Sequence, residues 1–289
     1  MDEGFLFDSH MHTPLCHHAV GEPEEYAAEA VAKGLHGIIF TCHTPLPEGI
    51  SPAVRMTLAD LPRYVDLVAR CREAYAGQLT VRLGLEVDYV PGHETFLEKV
   101  IQSQPFDYII GSVHPHLPEI KGRFFTGDTE AFATQYFRLQ SEAAATGLFD
   151  AMAHPDVIKI VSWARYDRER QWSAILNFLD KVANCGMALE LNTSGLIRAV
   201  NEFHPAPAIL PEIAGREIPV VLGSDAHAPG RVGESFGFAV THLAESGVRM
   251  MGHFRQRERR MVALADWQEA LTPALQTVGK PNSAGELRS

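Results

Sequence analysis

Phe5-Leu6-Phe7-Asp8-Ser9-His10-Met11-His12 puts a short apolar run directly before two histidines spaced one residue apart. The run has the composition of a buried strand, and alternation along a strand sends residues two apart to the same side. His10 and His12 therefore leave the strand end together. Neutral imidazole is a common ligand for zinc, iron and manganese, and two from one strand end make half of a tetrahedral site. In a chain with 14 histidines such a pair also arises by coincidence. The rest of the sequence has to decide.

Apolar runs alternate with amphipathic segments from that point onward. Strands are predicted at 5–8, 37–41, 81–86, 108–112, 149–153, 188–192 and 220–224. Most are continuous apolar runs, as expected of parallel strands covered on both faces. Between them, Leu61, Tyr64, Val65, Val68, Cys71 and Tyr75 recur three or four apart and form one helical face. Trp172, Ile175, Leu176, Leu179, Val182 and Ala183 repeat that pattern, with Gly186 placed to end the helix. Glu22-Pro23-Glu24-Glu25 reads as a helix start, with proline in the first turn and acids at the positive end of the dipole.

Seven strand–helix alternations favour one α/β domain built as a (β/α) barrel, although a doubly wound open sheet fits the same pattern. Two further strand candidates, 248–254 and 261–265, flank a basic run at 255–260 that is expected to be a solvated turn. A single domain is expected over residues 1–271, followed by a flexible Pro-, Gly- and Ser-rich tail at 272–289.

At 289 residues and 46% apolar content, the chain is long enough for a large core. A formal net charge of -11 argues against nucleic acid or an anionic membrane as partner. It leaves an anionic small molecule open, because bound cations reverse the local field. The four cysteines, Cys16, Cys42, Cys71 and Cys185, show no C-x-x-C pairing, which suits a reducing cytoplasm. No basic leader or run of ~20 apolar residues is present, so a soluble cytoplasmic protein is expected.

Nearly every predicted strand ends in a residue able to bind metal. The first gives His10 and His12, with His18 in the loop beyond, and the second ends at His43. Later strands end at Glu86, His114 and His154, and the seventh at Asp225 and His227. In a barrel the strand C-termini converge on one face, so these groups meet although distant in sequence. Seven imidazoles and two carboxylates exceed the needs of one ion and suit a cluster of two or three, with carboxylates bridging neighbours.

Asp8-Ser9-His10-Met11-His12-Thr13-Pro14-Leu15-Cys16-His17-His18-Ala19, Thr41-Cys42-His43, Gly84-Leu85-Glu86, Ser112-Val113-His114, Ala153-His154, Asn192-Thr193-Ser194-Gly195-Leu196 and Gly223-Ser224-Asp225-Ala226-His227 together resemble the polymerase-and-histidinol-phosphatase (PHP) superfamily, and within it the histidinol-phosphate phosphatase branch. The resemblance spans residues 8 to about 235 and implies a distorted (β/α)7 barrel, TIM-like, with a trinuclear metal centre. It implies two to three divalent transition-metal ions, zinc, iron or manganese. One would take His10, His12, Glu86 and Asp225. A second would share Glu86 and take His114 and His154, and a third His18, His43 and His227. His17 is read as second-row or solvent-facing.

The implied reaction is hydrolysis of a small phosphate ester, L-histidinol phosphate above all, with Glu86, Asp225 and His227 at the catalytic ions. Three divalent ions against two carboxylates leave about +4, enough to draw in a phosphate dianion. A water bridging two ions loses a proton near neutral pH and is the expected nucleophile. Asp8 serves either to orient an imidazole or to cap a strand end. Arg55, Arg198 and Lys159 match basic positions of similar phosphatases and are expected at the substrate, guanidinium matching phosphate oxygens bidentately, with a surface ion pair an equal reading for Lys159.

Two positions depart from the pattern. Cys42 stands where an acid commonly precedes the histidine; it is either a soft ligand or buried filler. Ile197 replaces the first of two basic residues before Arg198. These departures keep another small ester, such as a nucleotide or sugar phosphate, as the alternative substrate. A non-catalytic module, the role PHP domains play beside polymerases, is disfavoured by the complete ligand set.

Overall fold

Strands β1 (Phe7–Met11), β2 (Gly37–Phe40), β3 (Thr80–Asp88), β4 (Tyr108–Ser112), β5 (Ala151–Met152), β6 (Ala188–Asn192) and β7 (Val220–Gly223) pair in chain order, each parallel to the next. The seventh returns to the first: His12 N–H donates to Ala226 O at 2.9 Å, and Ala226 N–H to His10 O at 3.3 Å. That contact closes the ring and makes the (β/α)7 barrel rather than an open sheet. This computed structural model describes residues 4–47, 49–161 and 165–276.

The crossovers carry α1 (Pro23–Lys33), α2 (Leu61–Ala74), α3 (Glu94–Gln102), α4 (Pro118–Phe124), α5 (Thr129–Ala145), α6 (Ile158–Val161), α7 (Arg168–Asn184), α8 (Leu210–Gly215) and α9 (Phe236–Glu245). Their starts follow local chemistry. Pro23 opens α1 behind a reciprocal Glu22–Glu25 capping box. Asp128 and Asp167 cap α5 and α7, each accepting two free N–H groups of the first turn. The helices bury their apolar faces against the barrel exterior in one continuous core.

A second cluster fills the barrel's lower interior, with Phe7, Ile39, Tyr108, Ala151, Ala188 and Val221 among its members. The hairpin β8 (Met250–Arg255) and β9 (Glu258–Ala263), which precedes α10 (Leu264–Ala270), plugs that end with Phe254. His253 stacks on Phe7 at 4.8 Å, and Arg82 bonds to Phe254 O at 2.6 Å. The basic run is exposed except at the half-buried Arg257, as expected, and it forms the tip of a hairpin rather than a turn alone. The turn itself is Gln256–Arg257, both at positive φ, and Arg257 is pinned to Asp150 at 3.0 Å and to Leu148 O at 2.7 Å. Arg259 and Arg260 already belong to β9, where cross-strand pairing outweighs their charge.

The expected loosening at 272 does not begin there. Thr272 Oγ1 donates to Lys33 O at 2.6 Å, and the fully buried Leu275 accepts from Gly237 N–H at 2.8 Å. Residues 277–289 lie outside the described residues. Among those described, no helix is long and apolar enough to cross a membrane.

Candidate metal centre

The opposite end of the barrel gathers the predicted ligands. Nε2 of His10 and Nε2 of His12 lie 3.2 Å apart, and His12 Nε2 is 3.1 Å from Asp225 Oδ1. Glu86 Oε2 is 3.6 Å from each of the two nitrogens, and His10 Nε2 is 3.6 Å from Asp225 Oδ1. A tetrahedron of bonds near 2.1 Å has edges of about 3.4 Å. The four donors therefore fit an ion at their centre.

Glu86 divides its two oxygens between neighbours. Oε2 faces His10, His12 and, at 2.8 Å, His43 Nδ1, yet it is buried with no hydrogen-bond donor. Oε1 lies 2.9 Å from His154 Nε2 and 3.5 Å from His114 Nε2. This is the arrangement of a bridging carboxylate. His227 Nε2 meets His18 Nε2 at 3.0 Å on the outer side. His43 lies between the groups: its Nδ1 is 2.8 Å from Glu86, its ring stacks on that of His18 at 5.5 Å between centroids, and a ring nitrogen lies within 4.8 Å of donors of His12 and His227.

Backbone geometry helps aim these groups. His154 (φ 26°) and Asp225 (φ 52°) both stand in the left-handed region just beyond their strands, a cost of the kind tolerated at functional sites. Gly223 is required for close approach, since a Cβ there would overlap Glu190 Oε1 and sit 2.6 Å from His10 Cβ.

The protonation pattern suits cations. Burial raises the Glu86 and Asp225 carboxyls, but the surrounding imidazoles outweigh it and hold both well below the usual carboxylate range. Burial, then His12, push His227 down to about 3, which keeps it in the neutral, ligating form. Burial opposes charge on His43 too, yet Glu86 and Asp88 raise it to about 10. The acids thus demand positive charge between them, which metal ions would satisfy with release of those protons.

Two acids of the supporting layer were not among the residues expected here. Glu190 on β6 accepts from His10 Nδ1–H at 2.7 Å, His154 N–H at 2.8 Å and Asn192 Nδ2 at 3.0 Å. Asp88, two residues beyond Glu86 on the same face, takes Nδ1–H of His114 in a very short bond. The period-two acids in Glu86-Val87-Asp88 and the lone acid within Ala188–Asn192 were the available signals. Asp8 does not orient an imidazole. It accepts Ser224 N–H at 3.0 Å and Gly233 N–H at 2.8 Å, tying the loop after β7 to β1.

The expected substrate cations separate. Arg198 is exposed at the rim of the cavity above the ligands. Arg55 also lines that cavity, but its guanidinium is 2.7 Å from Asp88 and bonded to Thr44 O at 3.1 Å, so it braces the His114 support. Lys159 is buried; its ammonium is held by Asp156 at 2.9 Å and by Phe203 O, and it does not line the cavity. Sequence reasoning placed it at the substrate, whereas the buried acid claims it. Arg231, which was not anticipated, lines the cavity four residues after His227, with its Nε 2.9 Å from Glu234 and its Nη2 unpartnered. His116 lines it too, its ring 5.3 Å from that of His114. His17 is exposed, and Cys42 is fully buried.

The sequence profile of the family described as PHP domain matches residues 8–194. A protein of Deinococcus radiodurans named "Probable histidinol-phosphatase" is 43% identical over 260 residues, covering 88% of this chain and 98% of that protein. The histidinol-phosphatase of Bacillus subtilis is 30% identical, covering 79% and 96%. Among solved structures, the histidinol phosphate phosphatase of Lactococcus lactis, complexed with zinc, L-histidinol and phosphate, superposes with a TM-score of 0.74 at 20% identity, over 88% of this chain and 98% of that one. With more than half its length matched and 43% identity to a relative along most of both chains, the chain belongs to the PHP domain family.

Proposed function

We propose that the chain is a metal-dependent phosphomonoesterase whose substrate is L-histidinol phosphate, cleaved to L-histidinol and phosphate. The observation that carries the reading is the convergence of His10 Nε2, His12 Nε2, Glu86 Oε2 and Asp225 Oδ1 at 3.1–3.6 Å, with Glu86 shared by His114 and His154. Relatives named histidinol-phosphatase at 43% and 30% identity support the substrate. The reading treats residues 1–271 as one cytoplasmic catalytic domain. Two to three ions, zinc, iron or manganese, suit the mixed N/O donors.

Bound ions would supply Lewis acidity at the phosphoryl group and acidify water at neutral pH. The chain holds the ligands and grips the ester. His10, His12, Glu86 and Asp225 form one position, Glu86, His114 and His154 a second, and His18 and His227, with His43 adjacent, a third. Glu190 and Asp88 fix ring orientation, and Ser194 Oγ donates to Asp225 Oδ2 at 3.2 Å. Arg198 and Arg231 contact phosphate oxygens from the rim, Arg231 supplying from another loop the charge that Ile197 lacks.

One observation favours the alternative, another small phosphate ester. The charged residues that line the cavity besides the ligands are Arg55, Arg198 and Arg231, with no further carboxylate among the described lining to receive an amino-alcohol's ammonium. Steady-state rates on histidinol phosphate and a panel of nucleotide and sugar phosphates separate the two. A kcat/KM for histidinol phosphate at least tenfold above the panel is expected, and equal slow rates throughout would remove the first reading.

A further inference from the structure

The turn carrying Cys16 places a thiol where the expected ligand set has none. Cys16 ends the 3-10 turn Pro14–Cys16, and His17 follows at φ 68°, reversing the chain so that His18 returns beside it. His18 Nδ1–H donates to the Cys16 carbonyl at 2.6 Å, which leaves Nε2 to face His227 Nε2 at 3.0 Å. The Cys16 sulfur and a ring nitrogen of each of these histidines lie within 4.8 Å of one another.

Three further observations make this more than core filling. His43, the third imidazole expected at this position, has Nδ1 2.8 Å from Glu86 and a ring nitrogen within 4.8 Å of donors of His12 and His227, so the three imidazoles leave a tetrahedral ion one donor short. The Cys16 side also holds His12, whose ring nitrogen lies within 4.8 Å of the Cys16 and Cys42 sulfurs. Nε2 of His12 is turned to His10 and Asp225, while its Nδ1 is buried without a partner. The Cys42 sulfur, within 4.8 Å of that of Cys16, accepts from Thr13 Oγ1 at 3.2 Å and donates to Thr13 O at 3.6 Å.

We propose that Cys16 ligates, as a thiolate, the ion held by His18 and His227, making that position a sulfur-containing site that takes zinc in preference to manganese. The proposal rests on reading the centre as a metal site. Ligation breaks the S–H bond, forms a sulfur–metal bond and releases one proton to water. Zinc bonds of about 2.3 Å to sulfur and 2.0–2.1 Å to nitrogen put such donors roughly 3.6 Å apart, inside the observed span. A thiolate selects soft or borderline ions, whereas manganese prefers oxygen donors.

X-ray absorption at the zinc edge of the zinc-loaded full chain tests this without recourse to activity. A sulfur shell at about 2.3 Å is expected beside the nitrogen and oxygen shell. It should vanish in Cys16→Ser, together with one equivalent of chelator-resistant zinc, and persist in Cys42→Ser. Bound zinc with a purely N/O shell in the unsubstituted protein overturns the proposal even if Cys16→Ser does not fold, and so does a sulfur shell that survives that substitution. A chain that takes up no zinc at all overturns the metal-centre reading and this proposal with it, a result distinct from zinc bound without sulfur.

Discussion

Glu190 accepts the Nδ1–H of His10 at 2.7 Å from the floor of the metal centre. Its other oxygen takes the backbone N–H of His154 at 2.8 Å, so one carboxylate steadies ligands of two proposed ion positions. Glu190→Gln keeps the shape and removes the charge that fixes the His10 tautomer. A 10–100-fold loss of metal affinity is expected, with the unfolding midpoint of the metal-free protein little changed. Chelator competition beside urea denaturation measures both, and unchanged affinity would remove Glu190 from the support.

Arg55 and Asp88 form a buried pair at 2.7 Å, with side chains 3% and 1% exposed. Burial raises the Asp88 carboxyl, but Arg55 and His114 together hold it well below its usual range. Arg55→Ala removes the guanidinium and leaves only imidazoles beside the buried carboxylate, so a loss of about 3–5 kcal/mol is expected, together with weaker binding at His114. Denaturant titration checks the stability; a change under ~1 kcal/mol would mean that the pair is solvated.

His204 lies in a buried network with Asp156, at 3.0 Å, and Lys159. Burial and the Lys159 ammonium push its imidazole down to about 4 from the ordinary 6.5. The folded state therefore resists a proton that the unfolded chain accepts. The contribution is full above pH 6.5 and is lost as pH falls toward 4, at up to about 1.4 kcal/mol per pH unit. Urea midpoints between pH 7 and 4.5 should show that slope reduced in His204→Gln. An equal slope in both proteins would assign the acid sensitivity elsewhere.

Gly223→Ala forces a methyl against Glu190 Oε1 and His10 Cβ. Overpacking of this kind costs about 1–3 kcal/mol and should disturb the first ion position most. Zinc content and melting temperature would fall together, while full metal occupancy at unchanged stability would show that the floor can yield.

Asp225→Asn keeps the side-chain volume and removes a ligating charge. A loss of at least about 100-fold in kcat/KM is expected, with near-native circular dichroism. Full activity on any phosphate ester would displace Asp225 from the site.

The barrel and the gathering of the candidate ligands at one end were legible because parallel strands announce themselves as apolar runs and their ends converge. His10, Glu86, His154 and Asp225 were singled out by position alone, and the structure brings them together. The strand ends themselves were less legible. β1 runs on to Met11 and β3 to Asp88, so His10 and Glu86 stand inside strands, where alternation continues to aim side chains inward. Asp88 and Glu190 were missed for that reason: an acid within an apolar run carries no mark of the histidine it will face. Lys159 was misplaced because proximity to His154 in sequence says nothing of Asp156, which turns the ammonium away from the cavity. The exposure of the basic run was legible, but the register of its hairpin, which depends on Arg255 pairing with Glu258, is not a local property.

The ring closes between β1 and the segment after β7, and Asp225 reaches His12 across 213 positions of sequence. A chain emerging from the ribosome therefore displays His10 and His12 long before the fourth donor of their set exists. Ions captured early would be held by a fragment and exchanged readily; firm loading waits until nearly the whole polypeptide has been made. Truncation anywhere short of Asp225 would accordingly yield a protein that sheds its metal, however well its first strands are formed.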